Sequence, residues 1–505
     1  MVEGAGAEAD AEAASASFLW TVVFVLLSLL WLFITCFRPG RSKLCLPPSP
    51  PRLPLLGHIH LVKKVTKGPF LQHLRETMGP IFSLQVGKTP LIYITSAALA
   101  HEALVEKSLI FAYRPRFPSR ALFSNNYRNI NAASYGRLWR GLRRNLVHEM
   151  LAMPKILSFK PARVMVLDRL IIRIIKESSR SDGVISFFSC IRTAMFELLL
   201  FMCFGFDLSE DSLLQIVEIV DAILHLPSRA MQDFYPFTSI FFRGQERRVS
   251  ELRARQIKVY TSLIEEHKER CAHGTISPGS YLETLLHLDT GMPFSTVDLV
   301  TLCSEFIVAG TDTTVTTLEW AMARLADDAS IQGKLLDEIK AVVGDRPVEE
   351  TDLQKLPYLQ AIVRETLRLH PPGHFLLPHA VSEACKIGGY DIPANAVVLF
   401  HVIAMGRDPQ HWEKPLEFKP DRFLNKEFDV TGTKQSTMLP FGAGRRICPG
   451  LGLATMHLEL FIARLVQKLN WTPYLKGERV DFDEKMVFTV RMKNPLKVLV
   501  EQRNT

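Results

Sequence analysis

The loop of residues 441–450 holds one cysteine in surroundings that can keep a thiol ionised. Its sequence, FGAGRRICPG, places three glycines and a proline around Cys448, directly before a helical pattern over residues 451–469. Backbone N–H groups and the positive end of that helix stabilise a thiolate, and Arg445 and Arg446 add positive charge. Glycine also lets the backbone approach a flat ligand. The loop can therefore supply a thiolate ligand to iron, whereas a buried, inert cysteine beside a turn is the alternative.

A second candidate site lies inside a long helix predicted over residues 294–326. Ser295 and Asp298 have the spacing of a capping box at its start. The motif AGTDTT at residues 309–314 lowers helix propensity through one glycine and three threonines. The hydroxyl of Thr313 can bond the carbonyl four residues earlier and open the helix locally. Taken alone, the motif indicates a slightly kinked core helix.

Aromatic and basic residues share one face of a predicted amphipathic helix over residues 135–150, YGRLWRGLRRNLVHEM. Trp139 and Arg143 are four residues apart and therefore lie on the same side. An indole N–H and a guanidinium together can hold the carboxylate edge of a buried cofactor. A solvated basic face explains the same pattern and is preferred when these residues are the only evidence.

Glu365 and Arg368 are three residues apart on a helix predicted over residues 359–369. Such a pair is common on protein surfaces, where its energetic value is small. Downstream lie the segment PPGHFLLP at residues 371–378, then His379, and Arg422 within the sequence FKPDRF.

Three further segments predict local structure. Residues 81–86 and 91–95, on either side of Gly87, predict a β-hairpin, and residues 212–225 predict an amphipathic helix. Residues 234–242 carry five aromatic side chains, which either contact a membrane near a substrate entrance or belong to the core.

The uncharged apolar run of residues 18–37 is long enough to cross a bilayer as a helix. Acidic residues precede it and basic residues follow it, which places the following chain in the cytosol. The proline-rich sequence LPPSPPRLP then predicts a stiff spacer. The expected organisation is a lumenal segment (1–17), a transmembrane signal anchor (18–37), a basic and proline-rich hinge (38–57) and a catalytic domain (58–505).

Composition limits the classes of function. The 505 residues carry a formal net charge of +8, which suits anionic membrane surfaces or acidic protein partners. Nucleic acid is excluded as a partner, because the basic residues are scattered and form no recognisable nucleic-acid module. The eight cysteines show no paired spacing, which argues against disulfides and fits a reducing compartment.

The pattern Phe-x-x-Gly-x-Arg-x-Cys-x-Gly around Cys448, together with the motifs above in the same order, resembles the cytochrome P450 family. The resemblance covers nearly the whole chain and implies a mainly α fold with small β-sheets behind an N-terminal transmembrane helix. It implies a haem b whose axial thiolate is Cys448. Haem contacts would come from Trp139, Arg143, Arg446, His379 and Phe441. Only Arg446 fills the arginine position of the motif, and many relatives carry arginine where this chain has His379.

The same resemblance assigns the remaining sites. Thr313 and Asp312 would supply protons for O–O cleavage, and Glu365, Arg368 and Arg422 would form a buried structural network. Substrate contacts are expected at Phe123, Phe306, Ala309, Phe375, Leu376 and Phe488.

The implied activity is a haem-thiolate monooxygenase on the cytosolic face of the endoplasmic reticulum membrane, as a single-pass protein. Electrons would come from NADPH through a separate reductase, because the sequence has no flavin or dinucleotide module. Residues 131–136, 142–145 and 488–496 are similar to plant cytochrome P450 family 77, whose members hydroxylate or epoxidise fatty acids in cutin-type lipid metabolism. Terpenoids and phenolics are the alternative substrates. A peroxide isomerase or dehydratase of the same fold and a non-catalytic haem-binding protein are further alternatives.

Overall fold

The computed structural model describes residues 17, 20–28, 31, 44–53, 56–65, 68–227, 230–277, 279–289, 291, 293–424, 428–434, 437–475 and 477–503. Of the predicted anchor at residues 18–37, the described residues 20–28 are helical, and their large apolar side chains Trp20 and Phe24 are exposed. The rest of the anchor, except Trp31, and most of the basic segment after it lie outside the described residues. The domain boundaries stay a prediction.

Helices dominate the described chain. The α-helices are α1 (Ile59–Val65), α2 (Gly68–Met78), α3 (Ala97–His101), α4 (Pro118–Ala121), α5 (Arg137–Asn145), α6 (Met153–Ser158), α7 (Lys160–Arg180), α8 (Phe187–Phe204), α9 (Glu210–Leu224), α10 (Ala230–Phe234), α11 (Arg243–Ala272), α12 (Tyr281–Leu286), α13 (Thr296–Asp327), α14 (Ala329–Val343), α15 (Pro357–Leu369), α16 (Val402–Gly406) and α17 (Leu451–Lys468). Short 3₁₀ turns occupy Pro236–Phe242, Glu350–Lys355, Pro420–Phe423 and Gly444–Arg446, and π-helical turns occupy Glu102–Glu106 and Leu146–Met150.

The eleven strands of the described residues form small sheets at the side of the helices. They are β1 (Ile81–Val86), β2 (Thr89–Ile94), β3 (Val184–Ser186), β4 (His379–Ala380), β5 (Cys385–Ile387), β6 (Tyr390–Ile392), β7 (Val397–Phe400), β8 (Leu469–Pro473), β9 (Glu484–Met486), β10 (Val490–Met492) and β11 (Lys497–Gln502). The largest sheet has the order β1-β2-β7-β4, with β2 and β7 parallel. A second sheet has the order β3-β11-β8, and β5-β6 and β9-β10 are hairpins.

The long helix α13 forms the centre of the main hydrophobic core, because it packs against α8, α11, α15 and α17. Helix α8 is the one helix among the described residues that is apolar and long enough to cross a membrane. Most of its side chains are buried against its neighbours, so it acts as a core helix here.

Local sequence signals are confirmed at several elements. Strands β1 and β2 form the predicted antiparallel hairpin around Gly87, and α9 covers the predicted amphipathic segment. Helix α13 begins with the predicted capping box, since Ser295 and Asp298 each bond the other's backbone N–H. The helix predicted over residues 135–150 is α5 followed by the π-helical turn Leu146–Met150.

The hydrogen bond predicted for Thr313 is confirmed, and the local opening of α13 beside it stays a prediction. The hydroxyl of Thr313 donates to the carbonyl of Ala309 at 2.7 Å, as the sequence predicts, and the backbone is α-helical throughout α13. A carbonyl oxygen has two lone pairs, so it accepts from the hydroxyl without losing its backbone partner.

The aromatic segment of residues 234–242 was predicted either to contact a membrane or to belong to the core, and its two ends differ in this respect. Tyr235 is buried, and its hydroxyl donates to the carbonyl of Leu56 and accepts from the N–H of Gly87. Phe237 and Phe241 are instead more than two-thirds exposed. One end of the segment therefore belongs to the core and the other faces solvent or a lipid surface.

Candidate active site

A cavity of about 380 Å³ lies between α13 and the loop that carries Cys448. Helices α5 and α17, the segment before β4 and the β9-β10 hairpin complete its walls. The structure brings most of the predicted site residues to this cavity: Cys448, Trp139, Arg143, Arg446, His379, Phe441, Thr313, Phe306, Ala309, Phe375, Leu376 and Phe488. Phe123 and Asp312 are not among its lining residues.

Glycine is required at one position of the Cys448 loop. Gly444 has a φ of +65°, and a Cβ there would collide with the carbonyl oxygen of Leu104. The loop is also held by the N–H of Cys448, which donates to the carbonyl of Phe441 at 2.9 Å. This close packing directs the thiol into the cavity.

The surroundings of Cys448 shift the pKa of its thiol in opposite directions. Burial raises the pKa of its thiol, while the N–H of Gly450 and the positive charge of Arg143 lower it. The two lowering groups are those that a thiolate needs, and a bound metal cation would reinforce them. The cysteine is thus a thiol in the isolated protein and is placed to ionise when a metal binds.

Buried positive charge gathers at one end of the cavity. Arg143 donates to the carbonyl of Ile447, while Arg446 donates to the carbonyls of Ala112, Ile130 and Ala133. Burial lowers the pKa of both guanidiniums, that of Arg446 to about 10, and Arg143 lowers the pKa of Arg446 further.

Arg445, next in sequence to Arg446, is exposed and donates to the hydroxyl of Tyr135, so it contributes nothing to this end of the cavity.

A third guanidinium, that of Arg114, lines the same end and escaped the sequence analysis. It donates to the carbonyls of Asn131, Leu377 and Pro378. Burial holds its pKa well below the usual range, and the charge of Arg446 adds to this effect. Carbonyl dipoles and the carboxylate of Glu305, whose charge acts on Arg446, only partly offset these three guanidiniums, so this end of the cavity suits an anionic ligand.

Trp139 and His379 already have protein partners. The indole N–H of Trp139 donates to the carbonyl of Ile130 at 3.1 Å, and Arg446 lies over its ring at 4.5 Å. Nδ1 of His379 lies 2.6 Å from the carbonyl of Phe111, so this nitrogen carries a proton. Burial and the charge of Arg114 hold the pKa of His379 well below its usual value.

The neutral ring of His379 consequently presents an acceptor at Nε2. Donation from that nitrogen to a carboxylate requires a second proton on the ring.

The two residues predicted to handle protons face different directions. Thr313 lines the cavity with its hydroxyl on the carbonyl of Ala309. Asp312 is almost fully buried elsewhere: its Oδ1 accepts from Arg491 at 2.7 Å and lies 3.7 Å from Arg192. Burial raises the pKa of the Asp312 carboxyl, and the two arginines oppose that rise.

Glu365, Arg368 and Arg422 form a single buried network away from the cavity. Glu365 accepts from Nε and Nη2 of Arg368 at 2.7 and 2.8 Å, from Nε of Arg422 at 3.0 Å and from the N–H of Lys419 at 2.7 Å. Arg368 also donates to the carbonyl of Gly406. The network joins α15 to the segment before the Cys448 loop.

The comparisons with known proteins decide the family. The family model described as "Cytochrome P450" matches residues 47–500, which is most of the chain. The chain belongs to the cytochrome P450 family.

Plant relatives cover nearly the full length of this cytochrome P450. "Cytochrome P450 89A9" of Arabidopsis thaliana is 37% identical over 96% of this chain and 99% of that protein. "Isoflavone 3'-hydroxylase" of Medicago truncatula is 34% identical over 90% and 92%. "Geranylhydroquinone 3''-hydroxylase CYP76B74" of Arnebia euchroma is 33% identical over 91% and 94%. The protein is therefore a P450 monooxygenase of the plant type.

Solved structures show the same fold. A zebrafish cytochrome P450 solved with progesterone superposes with a TM-score of 0.75 at 24% identity, covering 86% of this chain and 99% of that one. The mainly helical P450 fold with small sheets is thus confirmed.

The residues of the cavity fit the haem that the P450 family implies. A thiol faces the cavity from the Cys448 loop, and three guanidiniums lie at one end. Nε2 of His457, another lining residue, is buried without a hydrogen-bond partner among the described residues. A thiolate is a suitable ligand for haem iron, and guanidiniums suit the two propionates. The haem, when bound, supplies the iron at which O₂ is activated.

Glu305 is the other cavity residue that the sequence analysis missed, and it is the one carboxylate among the described lining residues. Its two oxygens accept from the N–H groups of Ile130 and Asn131, and burial raises its pKa to about 7. The sequence does contain a signal for Glu305. It is a single acidic residue in the apolar first half of α13, and it lies four residues before Ala309 and so on the same helix face. Arg114 has only a weak signal, a basic residue between an apolar stretch and a proline.

Proposed function

We propose that this P450 hydroxylates an apolar, ring-containing small molecule such as a phenolic or a terpenoid. It uses O₂ and electrons delivered from NADPH by a separate reductase. The observation that carries the proposal is the Cys448 thiol across a mostly apolar cavity from the hydroxyl of Thr313 on α13. The names of the curated plant relatives support the substrate class, because isoflavones and geranylhydroquinone contain aromatic rings.

The walls of the cavity agree with a planar substrate. Tyr281 and Phe306 both line it and stack on each other with ring centroids 4.8 Å apart. Phe375 and Phe488 add aromatic surface from the other side. Aromatic rings pack against one another by offset stacking or edge contacts, which favours a ring-containing substrate over a flexible chain.

In this proposal the cofactor contacts fall to groups already placed at the cavity. Cys448 would supply the thiolate ligand of a haem, Arg143 and Arg446 would neutralise its carboxylates, and Trp139 and Phe441 would pack against it. His379 accepts a hydrogen bond there unless a propionate raises its pKa enough to protonate it. Glu365, Arg368 and Arg422 keep the loop in place from outside the cavity.

Proton supply is assigned to Thr313 and Asp312. The hydroxyl of Thr313 holds a proton at the cavity wall, and Asp312 renews it from the interior. Because the carboxylate of Asp312 faces away from the cavity, it has to leave Arg491 to serve this role.

An in-chain fatty-acid hydroxylase or epoxidase is the second candidate. It rests on the similarity of residues 131–136, 142–145 and 488–496 to plant family 77 and on the apolar side chains of Phe306, Leu376 and Phe488. Phe123 stays a proposed substrate contact only if the loop that bears it closes over the cavity.

Attachment to the endoplasmic reticulum is part of the proposal, with the catalytic domain in the cytosol. The apolar run of residues 18–37 and the charge difference across it support an anchor. Exposed Phe237 and Phe241 offer a second contact with the lipid surface.

Thiolate ligation is tested on the full chain in microsomes. The protein reduced with dithionite and exposed to carbon monoxide should show the strongly red-shifted Soret band of a thiolate-ligated haem. Cys448→Ala should lose that band and stay in the membrane fraction. Cys385→Ala, a half-buried cysteine on β5 away from the cavity, is the matched control and should keep it. A red-shifted band in Cys448→Ala refutes the axial assignment.

Substrate class is tested by supplying microsomes that contain a plant reductase with an isoflavone, a monoterpenoid alcohol and lauric acid, and identifying products by mass. Products of 16 Da added mass from the ring compounds support the first candidate, whereas oxidised laurate alone supports the fatty-acid candidate. Conversion of an added fatty-acid hydroperoxide without NADPH would indicate an isomerase. A red-shifted carbon monoxide band without any NADPH consumption would indicate a non-catalytic haem protein.

A further inference from the structure

The β9-β10 hairpin joins the wall of the cavity to Asp312, a buried residue of α13 that does not line it. Phe488 and Thr489, at the turn of the hairpin, line the cavity. Two residues later Arg491 donates at 2.7 Å to Asp312, which is not among the lining residues of the cavity. The same short hairpin thus touches both the substrate space and the buried acid.

Three more contacts fix the hairpin, two of them to α13 and one to the segment before β4. The hydroxyls of Thr489 and Thr316 are 2.8 Å apart, and the indole N–H of Trp320 donates to the carbonyl of Val490 at 2.7 Å. The N–H of Val490 donates to the carbonyl of Pro372, which also lines the cavity. Arg491 lies on the same hairpin as the cavity-lining turn, so a displacement that breaks these contacts would also take its guanidinium away from Asp312.

The charges around Asp312 come from three packed elements. Arg491 approaches from β10 and Arg192 from α8, and Arg192 is also paired with Asp221 on α9 at 2.7 Å. Asp221 is more than one-third exposed, whereas the other three are largely or fully buried. A buried carboxylate is therefore connected to solvent through one arginine and to the cavity wall through the other.

The contact with Arg491 leaves Asp312 incompletely paired. Its Oδ2 and Nε of Arg491 are buried and have no hydrogen-bond partner among the described residues. Only one oxygen of this carboxylate is hydrogen-bonded to a guanidinium. It can therefore exchange partners by breaking one hydrogen bond, whereas a bidentate pair would have to break two.

We propose that Arg491 is a positioning residue for Asp312, and that through it the substrate-contacting hairpin controls when Asp312 can deliver a proton. The proposal rests on the proton role given to Asp312 under the proposed function. Arg491 itself touches neither the cavity nor the reacting atoms. It holds the carboxylate turned away while the hairpin stays in place, and a displaced hairpin releases it.

Peroxide release by the full-length protein, reconstituted with haem and a plant reductase, measures this role. O₂ that takes up two electrons and two protons leaves as H₂O₂, whereas a further two electrons and two protons give water. Misplacing the proton donor raises the fraction of NADPH electrons recovered as peroxide, and this readout needs no added substrate. Arg491→Gln frees Asp312 from the contact that turns it away, so we expect it to lower that fraction several-fold, and a rise would contradict the proposal. Arg491→Lys, which keeps the charge, should leave the fraction near that of the unsubstituted protein.

A double-variant cycle separates positioning from a structural role. Asp312→Asn should by itself raise the peroxide fraction, and adding Arg491→Gln should not change it further. The double variant does not leave Asp312 as an unpaired buried carboxylate, so it keeps the test available even where Arg491→Gln alone fails to fold. Lys493→Gln, which removes an exposed pair with Asp483 two residues beyond Arg491, is the matched control. Urea unfolding of the unsubstituted protein, the two single variants and the double variant gives the coupling free energy between Asp312 and Arg491 independently of turnover.

The outcomes are distinct. Equal peroxide fractions in Arg491→Gln and Lys493→Gln overturn the proposal, as do additive effects of Arg491→Gln and Asp312→Asn. If the unsubstituted protein consumes no NADPH with the reductase, the monooxygenase proposal fails first. If it turns over and Asp312→Asn releases no extra peroxide, the proton role of Asp312 fails.

Discussion

Replacing Glu365 with glutamine tests how much of the fold depends on one buried carboxylate. Glu365 and Arg368 are completely buried, and Glu365 accepts four hydrogen bonds, three of them from guanidiniums. Removing one partner of a buried ion pair costs about 3–5 kcal/mol, because the other charge is left unpaired. For a domain of about 450 residues, whose unfolding entropy is about 1 kcal/mol per degree, the thermal midpoint should fall by about 3–5 °C.

The assay is thermal or urea unfolding followed by tryptophan fluorescence and by the Soret band of the reconstituted protein. Glu251→Gln is the matched control, since Glu251 forms an exposed pair with Arg247 one turn away on α11. It should leave the midpoint unchanged, because exposed ion pairs contribute little. The reasoning is refuted if the Glu365→Gln midpoint lies within a degree of that control.

Three further changes have calculable directions. Gly444→Ala should abolish haem retention, measured as the ratio of Soret to protein absorbance, because a Cβ collides with the Leu104 carbonyl at a φ of +65°; normal retention contradicts this packing. The pKa of His379 is held well below 6.5, so the unfolded chain binds a proton first and stability falls as pH drops below about 6.5. His379→Gln should reduce this fall in urea unfolding between pH 7 and 5, and an unchanged slope contradicts the buried neutral ring. Asp298→Ala, which removes half of the capping box and an ion pair, should lower the free energy of unfolding by about 1–2 kcal/mol, and a change under half of that argues against the cap.

Structural elements that depend on interactions between residues close in sequence could be predicted from the sequence. The capping box needs only Ser295 and Asp298 at the start of an apolar run, and the β1-β2 hairpin needs only two β-prone segments around Gly87. The glycines of the Cys448 loop likewise act through their own backbone and close neighbours. In each case the deciding interaction lies within a few residues along the chain.

The composition of the site needed more than local reasoning. Nothing in the spacing of Trp139, Thr313 and Cys448 requires that they meet, and the resemblance to the P450 family supplied that expectation. The structure places all three at one cavity. Such long-range proximity depends on the packing of α5, α13 and α17, which one sequence does not encode in readable form.

The directions of the side chains at the site could not be predicted from the sequence. Asp312 and Thr313 are adjacent, and which of them faces the cavity follows from the position of Arg491, nearly 180 residues downstream. The proton position on His379 follows from the carbonyl of Phe111. Arg114 was missed for the same reason, since its role depends on Arg446 lying beside it.

The parallel pairing of β2 with β7 has a consequence for how the chain folds during synthesis. The two strands are separated by about 300 residues, which a ribosome adds in roughly 15–60 s at the usual rate of translation. Strand β3 waits still longer for β11, the middle strand of its sheet. The apolar segments Thr89–Ile94 and Val184–Ser186 therefore emerge long before their partners, and their edges stay open to other chains in the meantime. We expect nascent chains stalled before β7 to bind chaperones strongly and to aggregate, because sheets that depend on distant partners form late and slowly.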